Sequence, residues 1–263
     1  MKALAAFLAL MSASAFAGGV YYIDPVNGDD TWDGSCPIAD RNALDEGSRG
    51  LTGPRRTLVG ADGLTTASQG DIVYLAEGTY AEEVYTDATY GRFRGRVKAG
   101  VKLIATGARD KTIIKGEIDK EQTAAAQKGC GPNAVSCLYL GAGCVVKGVT
   151  LTDGHVADIE KDANHCHGGA VRGSSVGWLV DCVVTNNYGN RGGAGYNIGA
   201  VGCRFYDNWS GNTGSDLYAS SAYNCFLATC SGTTTVSTRA GRSSTARSPG
   251  AGRSDGITGP GSL

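Results

Sequence analysis

Four groups of residues in this chain have types and spacing that could do chemistry. The first is the run Asn27-Gly28-Asp29-Asp30-Thr31-Trp32-Asp33-Gly34, with three carboxylates and two glycines. Set against an EF-hand-type loop, Asp29, Thr31 and Asp33 take positions one, three and five, Gly34 takes six and Asp40 takes twelve. Such oxygen ligands suit Ca²⁺. Asp40 is shorter than the usual Glu, Pro37 sits at position nine, and no helical pattern flanks the loop. The leading reading is therefore a pair of turns at Asn27-Gly28 and Asp33-Gly34, with a structural Ca²⁺ as the second reading.

The second group is Asp162-Ala163-Asn164-His165-Cys166-His167, which holds two of the three histidines. His165 and His167, with Cys166 and Asp162, are of the types a transition metal takes. Adjacent residues rarely all reach one ion, so packing of an inserted loop leads here.

The third group pairs arginines with aspartates. A polysaccharide lyase needs a cation, often Ca²⁺, to neutralise a uronate carboxylate. It also needs a Lys or Arg to remove the adjacent proton, and carboxylates to hold the metal. Arg172 with Asp181, and Arg204 with Asp207 one unit later, are the candidates, with Lys147, Arg191 and Asp153 on the same outward face. No tight group of three carboxylates falls on adjacent units, and a solvated strand face is the leading alternative. The fourth group is aromatic. Tyr188, Tyr196, Tyr206, Trp209 and Tyr218 could bind sugar faces or simply pack across strands.

These residues must be positioned by short strands. Gly accounts for 41 of 263 residues, and short β-branched runs alternate with Gly, Asn and Asp. Three segments starting at Gly168, Gly192 and Gly214 align on Cys182, Cys203 and Cys225. The next inward column holds Val184, Phe205 and Leu227, and Val149 and Leu151 join the two columns one unit earlier. Thr150, Val183, Arg204 and Phe226 form an outward column, followed by Thr152, Thr185, Tyr206 and Ala228. A second strand column reads VYL at 73, KLI at 102, LYL at 138, AVR at 170, AGY at 194 and DLY at 216. The pattern predicts an all-β solenoid, a parallel β-helix of about six coils over residues 70–230. Asp153, Asn186 and Asp207 make a polar column at the strand end, and Asn187 and Asn208 beside it could hydrogen-bond along a ladder.

The flanks are of different kinds. Residues 1–17 carry Lys2, a short apolar core and Ala15-Phe16-Ala17, which predicts a secretory signal peptide cleaved after Ala17. Residues 18–69 are read as an N-terminal strand, turn and capping segment. Residues 231–263 have no aromatic and cannot bury enough to fold, so they are expected to be disordered, in a frame-shifted or truncated C-terminus. No apolar stretch is long enough for a membrane span.

The formal net charge is −1, with 24 basic and 25 acidic residues. Removing Lys2 leaves 23 against 25, a balance that does not suit nucleic acid. All nine cysteines lie beyond residue 17, where disulfides would persist. Cys130 and Cys137 could close a loop, and Cys225 could pair with Cys230. The inward Cys column reads first as reduced core thiols and second as an inter-coil disulfide.

YYIDPVNGDDTWDG, then GPRRTL, then GDIVYLAEGTYAEEV, with the later GGAV and NC-type units, resembles exported right-handed parallel β-helix proteins of the pectin lyase-like superfamily. The resemblance covers residues 20–230. It implies a right-handed β-helix and, after GPRRTL, a helix that caps the first coil. The superfamily includes lyases, hydrolases, esterases and non-catalytic adhesins, so fold alone does not give chemistry. GTYAE at 78–82 looks like a first-coil element of pectin methylesterases, but stretches like QDTL and DFIFG are absent, as is the ordered NTD, DD, GHG and RIK set of polygalacturonases. No catalytic residue is carried over. The sequence points to a secreted or surface protein, extracellular or periplasmic, that binds polysaccharide or a cell-envelope component. The alternative is a polysaccharide-active enzyme, foremost a Ca²⁺-dependent lyase. The oligomeric state has no signal in the sequence.

Overall fold

A computed structural model describes residues 18–38, 52–59, 64, 67–122, 128–157 and 166–228. The predicted signal peptide and tail lie outside the described residues, as do Asp40, Asp162, His165 and Cys230. The described chain is all-β with almost no helix, and its sheets are built from parallel strands apart from one antiparallel hairpin. Among the described residues, no helix is long and apolar enough to cross a membrane.

One sheet runs β3 (Gly78–Tyr80), β7 (Thr112–Lys115), β10 (Thr150–Thr152), β12 (Val183–Thr185), β15 (Arg204–Tyr206) and β19 (Phe226–Ala228) in that order. Its central column is Tyr80, Ile114, Leu151, Val184, Phe205 and Leu227, each in register with the next. The alignment of Leu151, Val184, Phe205 and Leu227 matches the column read from the sequence. Period-2 alternation turns these residues inward, and Leu151, Val184 and Phe205 are fully buried.

The larger sheet contains two ladders. The first joins β1 (Val20–Ile23), β2 (Ile72–Leu75), β6 (Lys102–Ala105), β9 (Val145–Lys147), the end of β11 (Val171–Val180), β14 (Gly195–Val201) and β18 (Ser221–Tyr223). The second joins β5 (Gly91–Val97), β8 (Ser136–Leu140), the start of β11, β14 and β17 (Leu217–Tyr218). A hairpin strand, β4 (Tyr85–Asp87), pairs antiparallel with β5. The single column expected through VYL, KLI, LYL, AVR, AGY and DLY is therefore two. VYL and KLI belong to the first ladder, and the other four belong to the second. β11 and β14 run through both ladders, so a three-residue apolar pattern cannot tell one end of such a strand from the other. The initial YYI run lies in β1, which continues the first ladder in register with β2.

The corners have a backbone cause. Gly148, Asp181, Gly202 and Asn224 precede the strands of the smaller sheet, and all have φ between 52° and 74°. Asp153, Asn186 and Asp207 follow those strands at φ 56°, 56° and 53°. Only Gly, and to a lesser degree Asn and Asp, enter this left-handed region at low cost. The polar column thus marks where the chain must bend. Beside it, Asn187 and Asn208 are fully buried, and the Asn187 Nδ2 donates to Asn208 Oδ1 at 2.9 Å. Gly154 N–H donates to Asn187 Oδ1 at 2.8 Å, and Asn208 Nδ2 donates to Val184 O at 2.9 Å and Asp216 Oδ1 at 3.1 Å. The ladder therefore satisfies corner groups that would be costly to bury alone.

At the N-terminal end, Leu58 and Leu64 are buried and the Leu64 N–H donates to Leu58 O at 3.1 Å. The rest of the expected capping helix lies largely outside the described residues. Cys137 is a fully buried free thiol whose Sγ donates to Thr152 O at 3.3 Å. No bridge joins it to Cys130. Its thiol instead meets the Thr152 carbonyl and, at 3.9 Å, Asn187 Oδ1.

Candidate functional site

The second ladder of the larger sheet places alternate residues on opposite faces. Gly95, Leu138, Val171, Gly195 and Leu217 are in register on one side, and Leu138, Val171 and Leu217 are fully buried. The next residue of each strand gives a second column: Arg96, Tyr139, Arg172, Tyr196 and Tyr218. Cations and rings thus follow one another at strand spacing, about 4.8 Å.

These side chains touch. The Arg96 guanidinium lies 5.6 Å from the Tyr139 ring centroid and 5.7 Å from that of Tyr85. Its Nη1 also donates to the Tyr85 hydroxyl at 2.9 Å. The Arg172 guanidinium lies 4.5 Å from the Tyr90 ring and 5.1 Å from the Tyr196 ring. Tyr196 stacks on Tyr218 at 5.8 Å with 12° between planes, and Arg191, in β13 (Tyr188–Arg191), reaches Tyr218 at 5.7 Å. Tyr90 stacks on Tyr139 at 5.2 Å. Such contacts favour a cation over a ring face by about 0.5–2 kcal/mol each, more when water is excluded.

The β4–β5 hairpin brings Tyr85 and Tyr90 over the column. Asp87 Oδ1 accepts the N–H groups of Thr89 and Tyr90 at 2.9 and 3.1 Å, which sets the turn. His167 completes the other flank. It is buried, stacks on Tyr196 at 4.5 Å, and its Nδ1 lies 3.2 Å from Arg172 Nη1. Burial lowers the proton affinity of Arg172, opposed by the neighbouring Tyr196 and Tyr90. A guanidinium stays charged regardless. Burial also raises the Tyr139 hydroxyl above its usual range.

The candidates read from the sequence are distributed across the molecule. Arg172 lies in the column, but Arg204 is exposed on β15 of the other sheet, so the two do not share a face. Asp181 and Asp207 are left-handed corner residues, and the Asp181 carboxylate pairs with Arg109 rather than with Arg172. Tyr196 and Tyr218 belong to the column. Tyr206 lies on the smaller sheet, in register with Thr185 and Ala228. Tyr188 pairs with Trp209 between β13 and β16 (Trp209–Thr213), and stacks on His155 at 6.3 Å.

The acidic N-terminal loop uses its carboxylates locally. Asp29 Oδ1 accepts from Thr31 N at 2.8 Å and Thr31 Oγ1 at 2.7 Å, and that hydroxyl is the main reason the carboxyl is held below its usual range. Asp33 accepts from Ser35 N at 2.8 Å and from the Ser35 hydroxyl. Burial pushes Asp33 up, but hydrogen bonds from Ser35 and Gly53 and the Arg55 charge outweigh it. Asp30 accepts from Arg56 N, Thr57 N and Thr57 Oγ1 at 2.9–3.0 Å, which ties the loop to the GPRRTL segment. Among the described residues, no group of three or more His, Cys, Asp and Glu is arranged to hold a metal ion.

Arg96, Tyr139, Tyr85 and Tyr90 were not found from the sequence. The signal was present in Gly91–Val97, GRFRGRV, where Phe93, Gly95 and Val97 alternate with arginines and are buried. That period of two marks a strand with arginines on its other face, where Arg92 and Arg96 are partly exposed and Arg94 is buried by its bonds to Lys115 O, Glu82 O and the Glu117 carboxylate. Its long-range partners fix which arginine meets which tyrosine, and those pairings are not local. Compared with family models, curated proteins and solved structures, the chain matches none.

Proposed function

We propose that the ladders wind as a right-handed parallel β-helix of the pectin lyase-like kind, and that this protein binds an acidic polysaccharide along its arginine–tyrosine column. The observation that carries the reading is the register Arg96–Tyr139–Arg172–Tyr196–Tyr218, one residue per strand. An extended glycan laid across the strands would meet the partly exposed Arg96, Tyr196 and Tyr218, while the buried Tyr139 and Arg172, packed against Tyr90 of the hairpin, hold the column in place. Tyrosine rings offer apolar faces to sugar C–H groups, and guanidinium groups match carboxylates with paired donors. The five column residues include no carboxylate, so an anionic chain meets no repulsion within the column itself. Export through the predicted signal peptide would place the protein among such polymers, outside the cell or in the periplasm.

Binding without catalysis is favoured over lyase chemistry. The carboxylates that a Ca²⁺-dependent lyase would need, Asp181 and Asp207, serve as backbone corners, and Asp181 is paired with Arg109. The test is titration calorimetry of the full chain with polygalacturonate and with neutral dextran of similar length. The acidic polymer is expected to bind at least tenfold more tightly. Arg96→Ala is expected to weaken it about tenfold, roughly 1.4 kcal/mol. Equal binding of both polymers, or no effect of Arg96→Ala, would overturn the reading. Release of unsaturated products during the titration would restore the lyase reading.

A further inference from the structure

Cys182, Cys203 and Cys225 stand one residue before β12, β15 and β19. The pairing of Val183 with Arg204, and of Arg204 with Phe226, stacks them. Arg204 N–H donates to Cys182 O and Phe226 N–H donates to Cys203 O, both at 2.9 Å, so the alignment holds at the cysteines themselves. Adjacent strands bring such α-carbons to about 4.8 Å, inside the about 4.4–6.8 Å window of a disulfide. All three carry free thiols. Cys182 and Cys203 are buried, whereas Cys225 is only half-buried.

The environment changes along the stack. Cys203 Sγ accepts the Cys182 N–H at 3.4 Å and donates to Val201 O at 3.5 Å. Cys225 Sγ donates to Tyr223 O at 3.3 Å. The neighbouring Cys203 thiol is the main cause that draws the Cys225 thiol below its usual range, against the cost of burial. A part-exposed thiol of this kind is the one a disulfide reagent meets first.

We propose that Cys225 and Cys203 form a redox-active dithiol at the C-terminal end of the smaller sheet, oxidised by small-molecule disulfides. The Cys225 thiolate attacks one sulfur of the reagent. The reagent's S–S bond breaks, one half leaves as a thiolate, and the other half remains on Cys225 as a mixed disulfide. Cys203 then loses its proton to the departing thiolate or to water and attacks Cys225 Sγ. A Cys203–Cys225 bond forms and the second thiolate leaves, so two protein thiols are oxidised and one reagent disulfide is reduced. Cys182, on the far side of Cys203 and fully buried, takes no part. The bridge would clamp β19 to β15.

The experiment exposes the full chain to glutathione disulfide at pH 7.5 and maps its peptides by mass spectrometry after acid quench. The expected product is a Cys203–Cys225 cross-link with Cys182 unmodified. Cys203→Ser is expected to trap one glutathione on Cys225, and Cys225→Ser to abolish both cross-link and adduct there. Should Cys203→Ser fail to fold, the map of the unsubstituted chain decides alone. A Cys182–Cys203 bridge, modification confined to Cys36, or no modification would each overturn the proposal.

Discussion

Asp181 and Asp207 occupy backbone that few residues tolerate, and this accounts for their identity without a catalytic role. At φ 53°, a β-branched side chain meets the following carbonyl. Asp181→Val is expected to cost about 1–2 kcal/mol in urea denaturation. Asp181→Asn, which keeps the corner and loses only an exposed pair with Arg109, should cost under about 0.5 kcal/mol. Asp216 is the other telling residue. It is fully buried, its Oδ1 accepts from Asn208, and its Oδ2 meets no donor. Burial raises its carboxyl to about 6, with the nearby Asp207 adding to the rise and Asn208 opposing it. The folded state thus holds this proton more tightly than the unfolded chain. Its contribution is fully present below about pH 4 and is lost as pH rises through about 6. Asp216→Asn should therefore raise the urea midpoint at pH 7.5 and change it little at pH 4. Equal effects at both pH values would contradict the assignment. The polar corners were legible in the sequence because left-handed backbone selects Asn, Asp and Gly wherever it recurs. Asp216 was not, because its burial follows from its position at the end of the Asn187–Asn208 ladder.

At the level of strands, the smaller sheet could be read almost residue by residue from its last three units. Val184, Phe205 and Leu227 are separated by nearly constant stretches, and each is followed by the same kind of corner. The larger sheet could not be read in this way, because β11 and β14 serve two ladders and β5 enters through a hairpin. Packing between units also leaves little room at the corners. A Cβ on Gly193 would lie 2.1 Å from the Trp209 carbonyl oxygen and 2.4 Å from that of Ser215. Both are backbone atoms, so no rotamer change relieves the clash. Gly193→Ala is expected to lower the thermal midpoint by several degrees or prevent folding. A variant as stable as the original would show that the units are packed less closely than described. Phe205→Ala, at the centre of the buried column, should cost about 3–5 kcal/mol.

Across the whole molecule, parallel pairing converts a sequence repeat into straight columns of like side chains. Inward columns make the core, corner columns make the bends, and the opposite face of the second ladder gathers the partly exposed Arg96, Tyr196 and Tyr218 with the buried Arg172 and Tyr139. The sequence had marked Arg172, Tyr196 and Tyr218 separately, mixed with Arg204, Tyr206 and Trp209, because exposure and residue type do not say which sheet a strand joins. The two sheets now make different claims on a ligand. The most direct measurement compares polygalacturonate affinity of Tyr196→Ala, on the column, with that of Tyr206→Ala, on the other sheet. The account predicts about tenfold weaker binding for Tyr196→Ala and an unchanged affinity for Tyr206→Ala. Weaker binding for Tyr206→Ala with Tyr196→Ala unaffected would place the binding face elsewhere and contradict it.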